Sequence, residues 1–183
     1  MRKNIFVALD FSNFDKALDV ANSVKDHAAG IKITNELFSI IGKEGLQKIS
    51  NFGLDIFLDL KLLDVPNTVK KTILGLKSLP VKMLTIHTSG GIEMMKAAVE
   101  SAKDSGIQVF GVTTLTSLSD SDSITIFQRN AASQVDAMLD LAQEACIDGV
   151  VCSPHELKLV KARDCFLSIT PGIRFADSND DQN

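Results

Sequence analysis

Short β-rich apolar runs return along this chain at nearly even intervals, and segments of helical period fill the gaps. The runs are IFVALD (5–10), GIKI (30–33), DIFLDL (55–60), MLTIH (83–87), VFGVTTL (109–115), GVVCS (149–153) and FLSITPG (166–172). Their ends fall near Asp10, Lys32, Asp59, His87, Thr113, Cys152 and Thr170, with most intervals between 22 and 28 residues. Continuous apolar strands separated by amphipathic helices belong in a parallel sheet covered on its outer face. Ala17, Leu18, Ala21 and Val24 share one face of the first helical segment, and Ile92, Met95, Ala98, Val99 and Ala102 one face of the fourth. The long interval before Cys152 carries the polar stretch TSLSDSDSITIFQRNAAS, expected to be a loop with an extra short helix.

This rhythm favours a (β/α)8 TIM barrel, C-terminally incomplete at about seven βα units, forming a single domain over residues 1–183. A doubly wound, Rossmann-like sheet is the alternative, but no G-x-G-x-x-G follows the first strand. The polar residues concentrate at the strands' C-terminal ends: Asp10, Lys32, Asp59 with Lys61, His87, Thr113, Ser153 and Arg174. In barrels that end carries the catalytic groups.

Composition narrows the function classes. The 45% hydrophobic and 23% charged content is that of a soluble globular protein, and a net charge of −4 offers no basic footprint for nucleic acid or anionic lipid. No apolar run approaches the roughly 20 residues of a membrane helix, and the N-terminal run ends at Asp10, too short for a signal peptide. Cys146, Cys152 and Cys165 lack C-x-x-C spacing and are expected to be buried reduced thiols. A cytoplasmic protein is expected.

The most informative stretch is DLKLLDVPNT (59–68). Asp59 and Lys61, two apart on a strand, point to the same side. Pro66 suits a helix's first turn, which leaves Asp64 in the loop at the barrel mouth. Lys32 comes from the adjacent strand. A lone D-x-K on a strand is ordinarily a structural ion pair. A set made of Lys32, Asp59, Lys61 and Asp64 implies a use beyond stability, because buried ion pairs barely break even. An ammonium held among carboxylates is a candidate proton donor to a developing carbanion. His87 with Ser89-Gly90-Gly91 suggests either phosphate binding at a helix N-terminus or a packed strand end and tight turn; the turn is preferred, since barrel phosphates sit after strands seven and eight.

Taken with VALD (7–10), TIHTSGG (85–91), GVTTLTS (111–117), DGVVCS (148–153) and TPGIR (170–174), that stretch resembles the orotidine 5′-phosphate decarboxylases over essentially the whole chain. The resemblance implies that orotidine 5′-monophosphate loses CO2 to give UMP, the last step of UMP synthesis, with no metal or organic cofactor. It implies Lys61 as proton donor to C6, Asp59 against the departing carboxylate, and Lys32 holding the network and reaching the ribose. Asp10 matches the ribose-binding aspartate. Thr116 and Ser117 match positions lining the nucleotide near the base, and Arg174 and Gln182 those closing over phosphate and pyrimidine. Asp64 and Thr68 are implied to reach the partner's site in a homodimer.

Leu63 and Thr34 depart from the usual pattern without touching these positions. After Thr170 only 13 residues remain, and nothing in them matches the family's eighth unit with its phosphate-gripping arginine. The expectation is therefore an incomplete barrel whose activity is open, with an inactive relative that binds UMP-like nucleotides as one alternative. The other is a Mg-dependent sugar-phosphate enzyme on the same scaffold, a 3-keto-gulonate-phosphate decarboxylase or hexulose-phosphate synthase, which shares D-x-K-x-x-D.

Overall fold

A computed structural model describes residues 4–171. In chain order the elements are β1 (Phe6–Leu9), α1 (Phe14–Val24), β2 (Gly30–Thr34), α2 (Asn35–Ser50), β3 (Asp55–Leu62), α3 (Pro66–Leu76), β4 (Met83–His87), α4 (Gly91–Ala102), β5 (Gln108–Val112), α5 (Asp120–Phe127), α6 (Ala131–Glu144), β6 (Gly149–Val151), α7 (Leu157–Lys161) and β7 (Leu167–Ile169). Every strand pairs in parallel with the next, in the order β1 to β7. All seven expected strands are present. β5 stops at Val112 rather than Leu115, because Thr113 leaves the ladder and its hydroxyl donates to Val151 O. The extra helix in the polar stretch is α5, opened by a capping box between Ser119 and Asp122.

The two faces of the sheet have different cores. Outward-facing Leu9, Ile31, Ile33, Ile56, Leu58, Leu84, Ile86, Val109 and Val150 are buried beneath the helices. Ala17 and Ala21 are buried against this layer, with Leu18 and Val24 packed on it in part. On α4 the buried stripe is Met94, Met95, Ala98, Ser101 and Ala102, rotated from the expected one so that Met94 enters and Ile92 sits only partly covered. The inward face is packed by Phe57, Met83 and Phe110, joined by Phe6, Val151 and Ile169.

Ring contacts show how strongly the sheet curls. Phe6 on β1 meets Phe57 on β3 edge-on at 6.2 Å, and Phe57 meets Phe110 on β5 at 6.3 Å. Strands two apart in a flat sheet are separated by about 10 Å, so these contacts require a concave inner face. Glycine makes room for them: a Cβ at Gly30 would collide with the Phe6 ring, and one at Gly149 with the Phe110 ring. Among the described residues β1 and β7 each pair on one side only, and Ile5 and Leu167 beside those edges are more than half exposed. The architecture is an α/β barrel of seven parallel strands, incomplete over the residues described.

Phe57 touches both neighbouring rings and is almost fully buried. Phe57→Ala is expected to cost about 3–5 kcal/mol of stability, read as a lower urea midpoint.

The cysteine expectation needs correction. Cys152 is buried at the end of β6, whereas Cys146 and Cys165 are exposed in the loops that enter β6 and β7. Cys146 adopts φ 55° as α6 ends, a turn conformation that turns it away from the core. No helix among the described residues is long and apolar enough to cross a membrane.

Candidate active site

β3 brings Asp59 to the inner face and then breaks its regular course. Its register with β4 runs from Leu58 opposite Leu84 to Leu62 opposite Ile86, four steps on β3 against two on β4. Lys61 lies inside this bulge at φ 49°, a conformation that costs a non-glycine residue on the order of 1–3 kcal/mol and needs surrounding contacts to persist. Three such contacts are present. The Lys61 amide donates to Thr85 Oγ1 at 2.8 Å, the Lys61 ammonium donates to Asp59 Oδ2 at 2.6 Å, and Asn35 Nδ2 donates to Leu60 O at 2.9 Å. Bulges re-aim side chains at functional sites, and this one directs Lys61 back over Asp59.

The charges form a row across three strands. Lys32 Nζ, from β2, lies 3.6 Å from Asp59 Oδ2 and 3.5 Å from Asp10 Oδ1. Asp59 is 7% exposed and also accepts from the Thr85 hydroxyl, Oγ1 to Oδ1 at 2.8 Å. Burial pushes the Asp59 carboxyl upward, but the hydrogen bond and charge of Lys61, the Thr85 hydroxyl and the charge of Lys32 together hold it below its ordinary value. Asp59 is therefore a fixed anion bound to two ammonium groups. His87, half-buried at the end of β4, is held below its ordinary value first by burial and then by Lys61, so at neutral pH it adds no third cation.

Within one chain the structure brings together three members of the expected set, and Asp10 with them. The row is Asp10–Lys32–Asp59–Lys61. Asp64 lies in the exposed loop before α3, where its carboxylate accepts from the adjacent Val65 amide at 2.7 Å. Thr68, in the first turn of α3, is also exposed. Leu63 and Val65 beside them are 57% and 63% exposed. Thr116 and Ser117 occupy an exposed turn after β5, closed by the Leu118 amide donating to Leu115 O. Arg174 and Gln182 lie outside the described residues.

The segment after His87 is a single 3-10 turn, Thr88–Gly90, followed by Gly91 at φ 81°. Thr88 donates to Val112 O at 3.0 Å, and a Cβ on Gly90 would run into the Met94 side chain. The glycines thus serve a packed tight turn. No group of three or more His, Cys, Asp or Glu among the described residues is arranged to hold a metal ion.

Sequence reasoning missed Thr85 and Asn35. The signal for Thr85 was available: a hydroxyl within the apolar run MLTIH, two residues before His87 and so on the same face. Its partners were not available, because they arise from the bulge. An ammonium placed against a fixed carboxylate, in a barrel mouth, can deliver a proton to a carbanion formed beside it and can repel a second carboxylate brought to Asp59.

Comparison with known proteins agrees with this chemistry. Residues 3–183 match the Orotidine 5'-phosphate decarboxylase / HUMPS family. The chain is 40% identical to an orotidine 5'-phosphate decarboxylase of Wolbachia pipientis subsp. Culex pipiens, over 97% of this chain and 80% of that one. It is 43% identical to one from Ehrlichia chaffeensis, over 96% and 78%. Among solved structures, orotidine 5'-phosphate decarboxylase from Lactobacillus acidophilus superposes with a TM-score of 0.83 at 34% identity, covering 94% of this chain and 82% of that one. The enzyme from Methanocaldococcus jannaschii, complexed with inhibitor BMP, gives 0.81 at 25% identity over 95% and 79%. With its fold and its sequence in agreement, the chain belongs to the orotidine 5'-phosphate decarboxylase / HUMPS family.

Proposed function

We propose that this chain decarboxylates orotidine 5′-monophosphate to UMP without a cofactor, with Lys61 as the proton donor. The observation that carries the reading is the Lys61 ammonium bonded at 2.6 Å to a buried, ionised Asp59 that also faces Lys32. The bond from C6 to the carboxylate breaks, its electron pair stays on C6, and CO2 departs. A proton from Lys61 Nζ then bonds to C6. With no cofactor to delocalise that pair, a cation fixed where charge develops supplies the stabilisation, and Asp59 opposes the substrate carboxylate until it leaves. Lys32 and Asp10 take the ribose, and Thr116 and Ser117 line the base. Arg174 and Gln182 close over phosphate and pyrimidine.

The reading includes a cytoplasmic homodimer in which Asp64 and Thr68 reach the partner's site. Their exposure, beside exposed Leu63 and Val65, supports it. If Asp64 acts across the dimer, mixing Lys61→Ala with Asp64→Ala chains rebuilds one intact site per mixed dimer, and about a quarter of native turnover should return. A mixture as inactive as its components would place Asp64 in its own chain's site.

The substrate itself is tested by offering orotidine 5′-monophosphate and 3-keto-gulonate phosphate in parallel, each with and without Mg²⁺. Consumption of the nucleotide alone, independent of Mg²⁺, is expected. Consumption of the sugar phosphate only with Mg²⁺ would assign the chain to the other branch of its family.

A further inference from the structure

Thr85 is fully buried in the middle of β4, and its one hydroxyl works in both directions. It accepts from the Lys61 amide and donates to Asp59 Oδ1, each at 2.8 Å, while Asp59 Oδ2 takes the Lys61 ammonium. These bonds close a ring: Lys61 amide, Thr85 hydroxyl, Asp59 carboxylate, Lys61 ammonium. The ring spans the point where β3 and β4 lose register and where Lys61 takes its positive φ. Nothing else in β4 could do this, since Met83 lies in the apolar layer below and His87 stands at the strand's mouth.

We propose that Thr85 is a positioning residue for the decarboxylation, fixing through one hydroxyl both the backbone that carries Lys61 and the orientation of the Asp59 carboxylate. The proposal rests on the roles given to Lys61 and Asp59 under the proposed function. Without the hydroxyl, the Lys61 amide loses its acceptor and Asp59 Oδ1 its donor, so the ammonium and carboxylate can drift relative to a bound substrate. The charged and titratable groups facing Asp59 are Lys32 from β2, Lys61 on its own strand and His87 from β4, with Asp10 beyond Lys32.

The test compares Thr85→Val, which keeps the shape and removes the hydroxyl, with Thr85→Ser, which keeps the hydroxyl, in the full chain. In the valine variant kcat should fall on the order of 100-fold with little change in KM, since a small misplacement of reacting groups costs about that much. Serine should restore most of it. Carbon-13 carboxyl NMR gives a readout that needs no turnover. The Asp59 titration midpoint should rise in valine and return in serine, because a donor to the ionised form is lost and regained. In the unaltered chain the Lys61 amide should be protected from hydrogen exchange.

An unmoved Asp59 midpoint in valine, a serine chain no better than valine, or fast exchange at the Lys61 amide would each overturn the proposal. Turnover surviving in Lys61→Ala would instead overturn the proposed function. The NMR and exchange results would still judge the ring on their own.

Discussion

Lys61→Ala should lower turnover of orotidine 5′-monophosphate by about 10⁴-fold or more, while UMP still binds. The lysine is given two tasks in the transition state, and both vanish with it. A positioned proton donor contributes roughly 10²- to 10⁴-fold, and one fixed electrostatic donor at a developing anion roughly 10²- to 10³-fold. Its effects lie in the transition state, so kcat should carry the loss and KM should not. Folding should survive. Asp59 keeps the Thr85 hydroxyl at 2.8 Å and Lys32 at 3.6 Å, and the Lys61 side chain is 37% exposed. A stopped assay of UMP formation with titration calorimetry of UMP separates the two quantities. A variant retaining a tenth of native kcat would remove Lys61 from the chemistry.

Asp59→Asn should be nearly as damaging, on the order of 10³-fold in kcat, for a different reason. The amide preserves the volume but presents no charge to Lys32 or Lys61, which then repel each other and lose their fixed geometry. It also removes the anion that opposes the substrate carboxylate.

This variant makes a pH prediction about stability as well. The Asp59 carboxyl is held below its ordinary value in the folded chain, so its stabilising contribution is complete above the unfolded value, about 3.9. That contribution is lost as pH falls through the folded value. The native chain should therefore be more stable than Asp59→Asn at neutral pH, with the gap shrinking as pH drops below about 4. Urea unfolding of both chains across that range reads it. A gap that stayed constant into acid would mean the carboxylate charge contributes nothing to the fold.

Much of the fold could be read from residue order because the inner strands β2 to β6 are largely buried on both faces, and all seven appear as short apolar runs. IFVALD, MLTIH and the others carry their own boundaries, and Pro66 marks the start of α3 directly. The bulge in β3 could not be read this way. DLK looks like three ordinary strand residues, and the slip exists only in relation to β4. For the same reason the alternation rule put Lys61 on the same side as Asp59, while the actual contact depends on a left-handed residue and a hydroxyl two strand positions from His87.

Asp64 stands apart from the row within a single chain, and Asp10 joins it, for local reasons. Loop placement was inferred from Pro66 and was right: the loop leaves Asp64 exposed, its carboxylate accepting from the adjacent Val65 amide. Asp10 reaches Lys32 because β1 and β2 are neighbours with Ala8 opposite Lys32. Recognition of the family motif singled out Asp10 for the ribose, but its ion pair with Lys32 came only from strand register.

The most direct test of a cofactor-free decarboxylase is the initial rate on orotidine 5′-monophosphate after the 183-residue chain has been stripped with EDTA, followed at the pyrimidine absorbance. The account predicts UMP formation at the same rate as before stripping. No turnover by a folded chain, or turnover that returns only with added Mg²⁺, would contradict it.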